Sequence, residues 1–132
     1  GRRRPVVIAL SGGLGSGKTT FVQGLARALG VRERIQSPTF VIAKWYALRG
    51  RSAFRRFVHI DAYRLSATTA ARALGLRTTF RDREAVMVIE WAERVRELVP
   101  RGAFWIRFKH GRHAHERVVE FKTPNAKLKT KT

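Results

Sequence analysis

Val6-Val7-Ile8-Ala9-Leu10-Ser11-Gly12-Gly13-Leu14-Gly15-Ser16-Gly17-Lys18-Thr19-Thr20 is the stretch that decides the fold. Val6 to Leu10 is a continuous apolar, β-rich run, the pattern of a strand buried on both faces. Glycines follow, and from Lys18 to Leu29 the residues Phe21, Leu25, Ala28 and Leu29 share one face at helical spacing, with Gly30 where a helix would end. Gly12 and Gly17, five apart and followed by Lys18 and Thr19, satisfy the phosphate-loop spacing. Each piece has a reason. Glycines let backbone N–H groups turn inward around phosphates without Cβ clashes. The helix N-terminus adds partial positive charge. A lysine here reaches β- and γ-phosphates, and a threonine hydroxyl can ligate Mg²⁺. A nucleoside triphosphate is therefore expected on Gly12, Gly13, Leu14, Gly15, Ser16, Gly17, Lys18, Thr19 and Thr20.

Working outward, strand and helix patterns alternate. Phe40 to Leu48 and Ser52 to Ile60 read as two strands joined near Gly50 and Arg51. Ser66 can cap a helix running to Leu74, with Gly75 ending it. Ala85 to Ile89 is a second short buried strand. Trp91, Val95 and Leu98 form a helical stripe that stops before Pro100. Phe104 to Phe108 and Val118 to Phe121 pair as a closing hairpin. This order predicts an α/β sandwich with a mixed, largely parallel central sheet. Residues 1–121 are expected to form one domain, and 122–132 a basic, mobile tail.

The 132 residues carry 28 Lys and Arg against 9 Asp and Glu, a formal net charge of +19. Such a balance speaks to polyanionic partners or to an Arg-rich solvated surface, not to fold. Without cysteine there is no disulfide scaffold, thiolate metal site or cysteine nucleophile. The longest apolar run, Pro5 to Leu10, is far short of the ~20 residues that span a bilayer, and no cleavage pattern follows the basic start. A cytoplasmic protein with no membrane partner is the expectation.

A phosphate loop needs an acid for its metal. Phe57-Val58-His59-Ile60-Asp61 is strand text ending in Asp, which makes Asp61 a direct or supporting Mg²⁺ partner. Met87-Val88-Ile89-Glu90 ends the same way, and such strand ends cluster at the ligand crevice of α/β sheets. Glu90 is expected to ligate the metal or to orient the attacking water. For both acids the competing reading is a charge favoured at a helix N-terminus. Asp82, between Arg81 and Arg83, reads as a surface salt-bridge residue. His110, His113 and His115 share one turn, but with Lys and Arg interleaved they make a poor metal site.

Leu10 to Phe21, Ser37-Pro38-Thr39-Phe40, His59-Ile60-Asp61-Ala62-Tyr63-Arg64-Leu65 and Ile89-Glu90-Trp91 with Glu93-Arg94 together resemble one family. It is TsaE (formerly YjeE), the small P-loop ATPase of bacterial tRNA threonylcarbamoyladenosine synthesis. The resemblance implies a P-loop NTPase-like three-layer sandwich with a parallel core and antiparallel flanking strands. It implies Mg²⁺-dependent ATP hydrolysis alongside the TsaB–TsaD pair, which modifies adenosine 37 of tRNAs reading codons that begin with A. By position, Lys18 would bind phosphate, Thr19 and Glu90 would bind Mg²⁺, and Asp61 would support the metal. Lys18, Asp61 and Glu90 would thus carry the catalysis. Thr39 would sense the γ-phosphate, and Trp91 would sit beside the nucleotide, at a partner surface, or simply in helix packing.

Departures from the family pattern are expected to matter. Family members usually carry a strand and helix before the phosphate-loop strand, partly near the adenine; here five residues precede Val6. An Asp is usual at Gly13, and basic Arg77, Arg81 and Arg83 stand near where acids are common. No arginine finger is evident; Arg64 and Arg117 are the in-chain choices. Two rival functions share these motifs. One is a small-molecule P-loop kinase, which would need a lid. The other is a nucleic-acid-binding module with a vestigial nucleotide site, whose affinity would fall steeply with salt.

Overall fold

A computed structural model describes residues 4–13, 17–35, 43–49, 53–63, 75–113 and 115–123. The chain forms β1 (Val6–Gly12), α1 (Lys18–Leu29), β2 (Ala43–Ala47), β3 (Arg56–Asp61) and a single helical turn α2 (Leu76–Thr79). There follow β4 (Ala85–Glu90), a 3-10 segment (Ala92–Leu98), β5 (Phe104–His110) and β6 (Arg117–Lys122). The strands make one six-stranded sheet in the order β2-β3-β4-β1-β5-β6. β3, β4, β1 and β5 run parallel, while β2 and β6 pair antiparallel at the two flanks. The mixed sheet predicted from the sequence is the one observed.

Two apolar layers cover this sheet. On one face Val22 and Ala26 of α1 pack on Leu10, Phe57, Val86, Val88, Ile106 and Phe108. On the other, Ala92 and Val95 of the 3-10 segment pack on Val7, Ala9, Val58, Ile60, Met87 and Ile89. Period-two alternation along each strand therefore sorts side chains between the two layers. β4 lies at the centre of this arrangement, and all six of its residues are buried.

The structure departs from the sequence reading in several places. The stripe Trp91, Val95, Leu98 forms 3-10 turns, not an α-helix, and the backbone leaves helical geometry at Val95 (φ −130°, ψ 35°). Spacings of four and three satisfy an α-helix and a pair of short turns equally. β3 begins at Arg56, after Ala53 to Arg55 have approached in irregular backbone. The short α2 turn was not foreseen. The predicted helix from Ser66 to Leu74, the start of the strand at Phe40 and the tail beyond Thr123 lie outside the described residues, while β6 itself reaches Lys122.

Among the described residues, no helix is long and apolar enough to cross a membrane. Asp82 is indeed a salt-bridge residue: Arg56 donates to both of its carboxylate oxygens, at 2.7 and 2.8 Å.

Candidate functional site

The carboxyl ends of β1, β3 and β4 lie side by side, and the amino end of α1 rises from the same edge. Alternation puts Gly12, His59, Asp61 and Glu90 all on the face that α1 covers, since Leu10, Phe57, Val86 and Val88 pack there. Gly12 ends β1 at φ 135°, and a Cβ there would run into the Phe108 carbonyl of β5. Only glycine lets the chain turn so close to its neighbour. Gly17 caps α1 from the left-handed region, at φ 105°. Among the described residues no side chain caps this helix, and no acid stands in its first turn. The first turn thus carries the positive end of the helix with no carboxylate of its own.

Lys18 is the first residue of α1 and is buried at 5% exposure. Its ammonium donates to the Gly12 carbonyl oxygen at 2.7 Å and lies 3.5 Å from the centroid of the Trp91 ring. Burial pushes the Lys18 ammonium below the usual lysine value, and the carboxylates of Glu93, Glu90 and Asp61 act in the opposite direction. Three acids from three segments therefore converge on one cation. Asp61 and Glu90 are register partners at the ends of β3 and β4, and the Ala62 N–H donates to the Glu90 carbonyl at 3.0 Å. Asp61 also accepts the Tyr63 N–H at 2.9 Å, which folds the chain sharply after β3.

Trp91 stands at the hinge between β4 and the 3-10 segment with φ 61°, the one non-glycine residue among those described with positive φ. A tryptophan there is strained backbone, which persists where surrounding structure holds it. What holds it is a stack. Tyr63 packs with ring centroids 4.9 Å apart, Lys18 sits over the indole, and the Arg94 guanidinium lies 4.8 Å from the Tyr63 ring and 5.7 Å from the Trp91 ring. The other side of the indole's surroundings is the core beneath the 3-10 segment.

Of the residues singled out in the sequence, the structure brings Gly12, Gly17, Lys18, Asp61, Glu90 and Trp91 to this one edge. Thr19 and Thr20 follow on the exposed side of α1, and Gly13 is exposed just after β1. Leu14, Gly15, Ser16, Thr39 and Arg64 lie outside the described residues. Arg117 opens β6 as the register partner of His110 and donates to the Glu116 carbonyl oxygen at 2.8 Å. Sequence reasoning gave no role to His59, Glu93, Tyr63 or Arg94, although the quoted motifs contain all four. A signal was present for His59: it stands in an apolar run, two residues before Asp61 and hence on the same face. His59 Nε2 lies 2.6 Å from Glu90 Oε2, and both side chains are buried.

The donor set fits a hard cation. Thr19, Asp61 and Glu90 offer only oxygen, and the charges of Glu93, Glu90 and Asp61 all act on Lys18. One Glu93 oxygen is buried without a hydrogen-bond partner among the described residues. Among those residues no group of three His, Cys, Asp or Glu forms a metal cage.

The family model for threonylcarbamoyl adenosine biosynthesis protein TsaE matches residues 2–119. The tRNA threonylcarbamoyladenosine biosynthesis protein TsaE of Mycobacterium bovis is 36% identical over 119 residues, covering 86% of this chain and 69% of that protein. Its counterpart in Streptomyces coelicolor is 45% identical over 94 residues, covering 70% of this chain and 61% of that protein. Among solved structures, Bacillus subtilis YdiB aligns with a TM-score of 0.69 at 29% identity, over 96% of this chain and 73% of YdiB. The α/β sheet described above is thus a P-loop NTPase-like fold.

Proposed function

The chain belongs to the TsaE family of threonylcarbamoyl adenosine biosynthesis proteins, and on that premise we propose that it is a Mg²⁺-dependent ATPase serving tRNA modification in the cytoplasm. The observation that carries this reading is the buried Lys18 ammonium. It stands at the uncapped start of α1, bonded to the end of β1 and faced by three carboxylates.

In this reading ATP is the substrate. Lys18 exchanges its bond to the Gly12 carbonyl for the β- and γ-phosphate oxygens, a gain because a charged acceptor replaces a neutral one. The free N–H groups at the start of α1 meet the phosphates with the positive end of the helix. Thr19, Asp61 and Glu90 would hold Mg²⁺, which when bound neutralises charge on the phosphate oxygens. The Glu90 carboxylate orients the attacking water. The oxygen of that water bonds to the γ-phosphorus as the bond to the bridging oxygen breaks, giving ADP and inorganic phosphate. Trp91 supports Lys18 through its ring, whose centroid lies 3.5 Å from the ammonium.

The further reading concerns partners. The TsaB–TsaD pair and, directly or through it, tRNA are the proposed company of this chain. A small P-loop domain generally relies on another group to complete its transition-state charge, so turnover alone should be slow.

Phosphate release from Mg-ATP by the purified chain tests the reading. Lys18→Ala should lower turnover by about 100-fold or more, the loss typical of removing a positioned charge donor. A folded Lys18→Ala protein with the parent's turnover would overturn it. Stimulation on adding TsaB–TsaD tests the partner half separately.

A further inference from the structure

One buried polar side chain has no part in the chemistry above. His59 is 1% exposed and stands in β3 between Val58 and Ile60, both fully buried. An imidazole at such a place is costly to desolvate, and an apolar side chain of similar volume would pack there without that cost. Nothing in the fold of β3 calls for it.

Among the described residues, the ring is bonded on one side. Nε2 lies 2.6 Å from Glu90 Oε2. A carboxylate only accepts, so Nε2 carries the hydrogen and donates. Nδ1 is buried with no hydrogen-bond partner among the described residues. A histidine kept for stability would be expected to satisfy both nitrogens, since an unpaired buried acceptor is itself destabilising. Among the described residues, the one hydrogen bond of the ring is thus the bond to Glu90.

Register explains how the bond arises. In the parallel β3–β4 pair, Asp61 stands opposite Glu90 and His59 opposite Val88. Side chains two apart share a face, so Glu90 has Asp61 beside it and His59 one step deeper in the sheet. The deeper approach takes one carboxylate oxygen from the core side and leaves the carboxylate its second oxygen. The imidazole is walled in by the core, so the carboxylate cannot rotate without breaking a short, charge-assisted bond.

We propose that His59 is a positioning residue: it grips Glu90 through Oε2 and so fixes the carboxylate plane for the metal–nucleotide complex bound by Lys18 and Thr19. This rests on the ATPase reading given above. The relation is that of a metal-site carboxylate to its hydrogen-bonded supporter, whose loss typically costs 10–100-fold in metal affinity or activity.

The test compares His59→Leu, which removes the donor, with His59→Gln, whose amide N–H can reach the place of Nε2. Four quantities are measured on each full-length protein: kcat and KM for ATP, ADP affinity without metal, and Mn²⁺ affinity in the presence of ADP. His59→Leu should lower kcat and Mn²⁺ affinity by about 10-fold or more. Metal-free ADP affinity should stay within about twofold, because Lys18 and α1 are untouched, while KM for metal-bound ATP should rise with the lost metal affinity. His59→Gln should recover most of the loss.

A folded His59→Leu with the parent's Mn²⁺ affinity and kcat overturns the proposal. So does an equal loss of metal-free ADP binding, which would mark a structural role. If His59→Leu does not fold, His59→Gln decides, since loss of Mn²⁺ affinity in that folded donor-retaining variant overturns it. If the parent shows no ATP turnover, the ATPase reading fails by itself. The Mn²⁺ comparison needs no turnover and still decides the role of His59, with no Mn²⁺ binding by the parent counting against it.

Discussion

β3 and β6 are two six-residue strands of closely similar text, Arg-Phe-Val-His-Ile-Asp and Arg-Val-Val-Glu-Phe-Lys. Each begins with Arg and each carries Phe, Val and an acid. Their fates are opposite. β3 lies between β2 and β4, and its four central residues are all buried, whereas β6 is an edge strand with every residue exposed. Burial is thus decided by position in the sheet and not by strand composition. The consequence is chemical. Charged and polar residues of β6 need no explanation beyond solvent, and Lys109 and Arg107 simply face Glu120 at 3.3 and 3.9 Å. A polar residue in β3 must be matched by a partner or a purpose, and His59 and Asp61 each have one at the candidate site.

The comparison breaks most visibly through its two phenylalanines. Phe57 in β3 is fully buried against Tyr46, with ring centroids 6.1 Å apart, and within the layer under α1. Phe57→Ala should cost about 3–5 kcal/mol in urea unfolding, the usual range for an aromatic deleted from a core. That is a large part of the total stability of an ordinary domain. A loss below about 1 kcal/mol would mean that β3 is not the interior strand its position implies.

This contrast also marks how much could be read beforehand. β1, α1 and the strands ending at Asp61 and Glu90 were legible because their signals are local: an apolar run, helical spacing, an acid at a strand's end. The antiparallel flanks followed from short paired runs. Contacts that depend on which strand neighbours which were not legible. The His59–Glu90 bond needs β3 beside β4 in one register, and the seat of Lys18 on Trp91 needs α1 and the 3-10 segment brought to one edge. Trp91 gives no local hint of its positive φ, since tryptophan disfavours it. The difference between β3 and β6 was equally hidden: edge and centre are properties of the assembled sheet.

A smaller effect tests the far end of β3. Arg56 opens the strand, donating to both oxygens of Asp82 and to Glu84 at 3.1 Å. The Arg56 hydrogen bonds hold the Asp82 carboxyl below its ordinary value. A carboxyl lowered in the folded state contributes stability that is present above its unfolded value, about 3.9, and lost as pH falls through the folded one. Asp82→Asn should therefore destabilise by less than about 1 kcal/mol near neutral pH, because over a third of the Arg56 side chain remains in solvent. The gap between parent and variant should close as pH drops below about 4, measured as urea midpoints across pH. A gap that widened with acid would put the lowered carboxyl elsewhere.

The smallest effect belongs to the other phenylalanine. Phe121 is 71% exposed on β6, beside Ile106 of β5, and its neighbours Val118 and Val119 are exposed too. Folding removes little of its ring from water, so the transfer energy that makes Phe57 costly is absent here. Phe121→Ser should change stability by no more than about 0.5 kcal/mol in the same urea experiment, the range of surface substitutions. Serine lowers strand propensity slightly, and the edge position halves the hydrogen bonds at stake, so the two small terms do not add to a core-like loss. A cost near that of Phe57→Ala would show that β6 is covered in solution and that its exposure in the single chain is not its working state. Equal costs at Phe57 and Phe121 would erase the distinction between centre and edge, and with it the reason for treating His59 and Asp61 differently from Glu120.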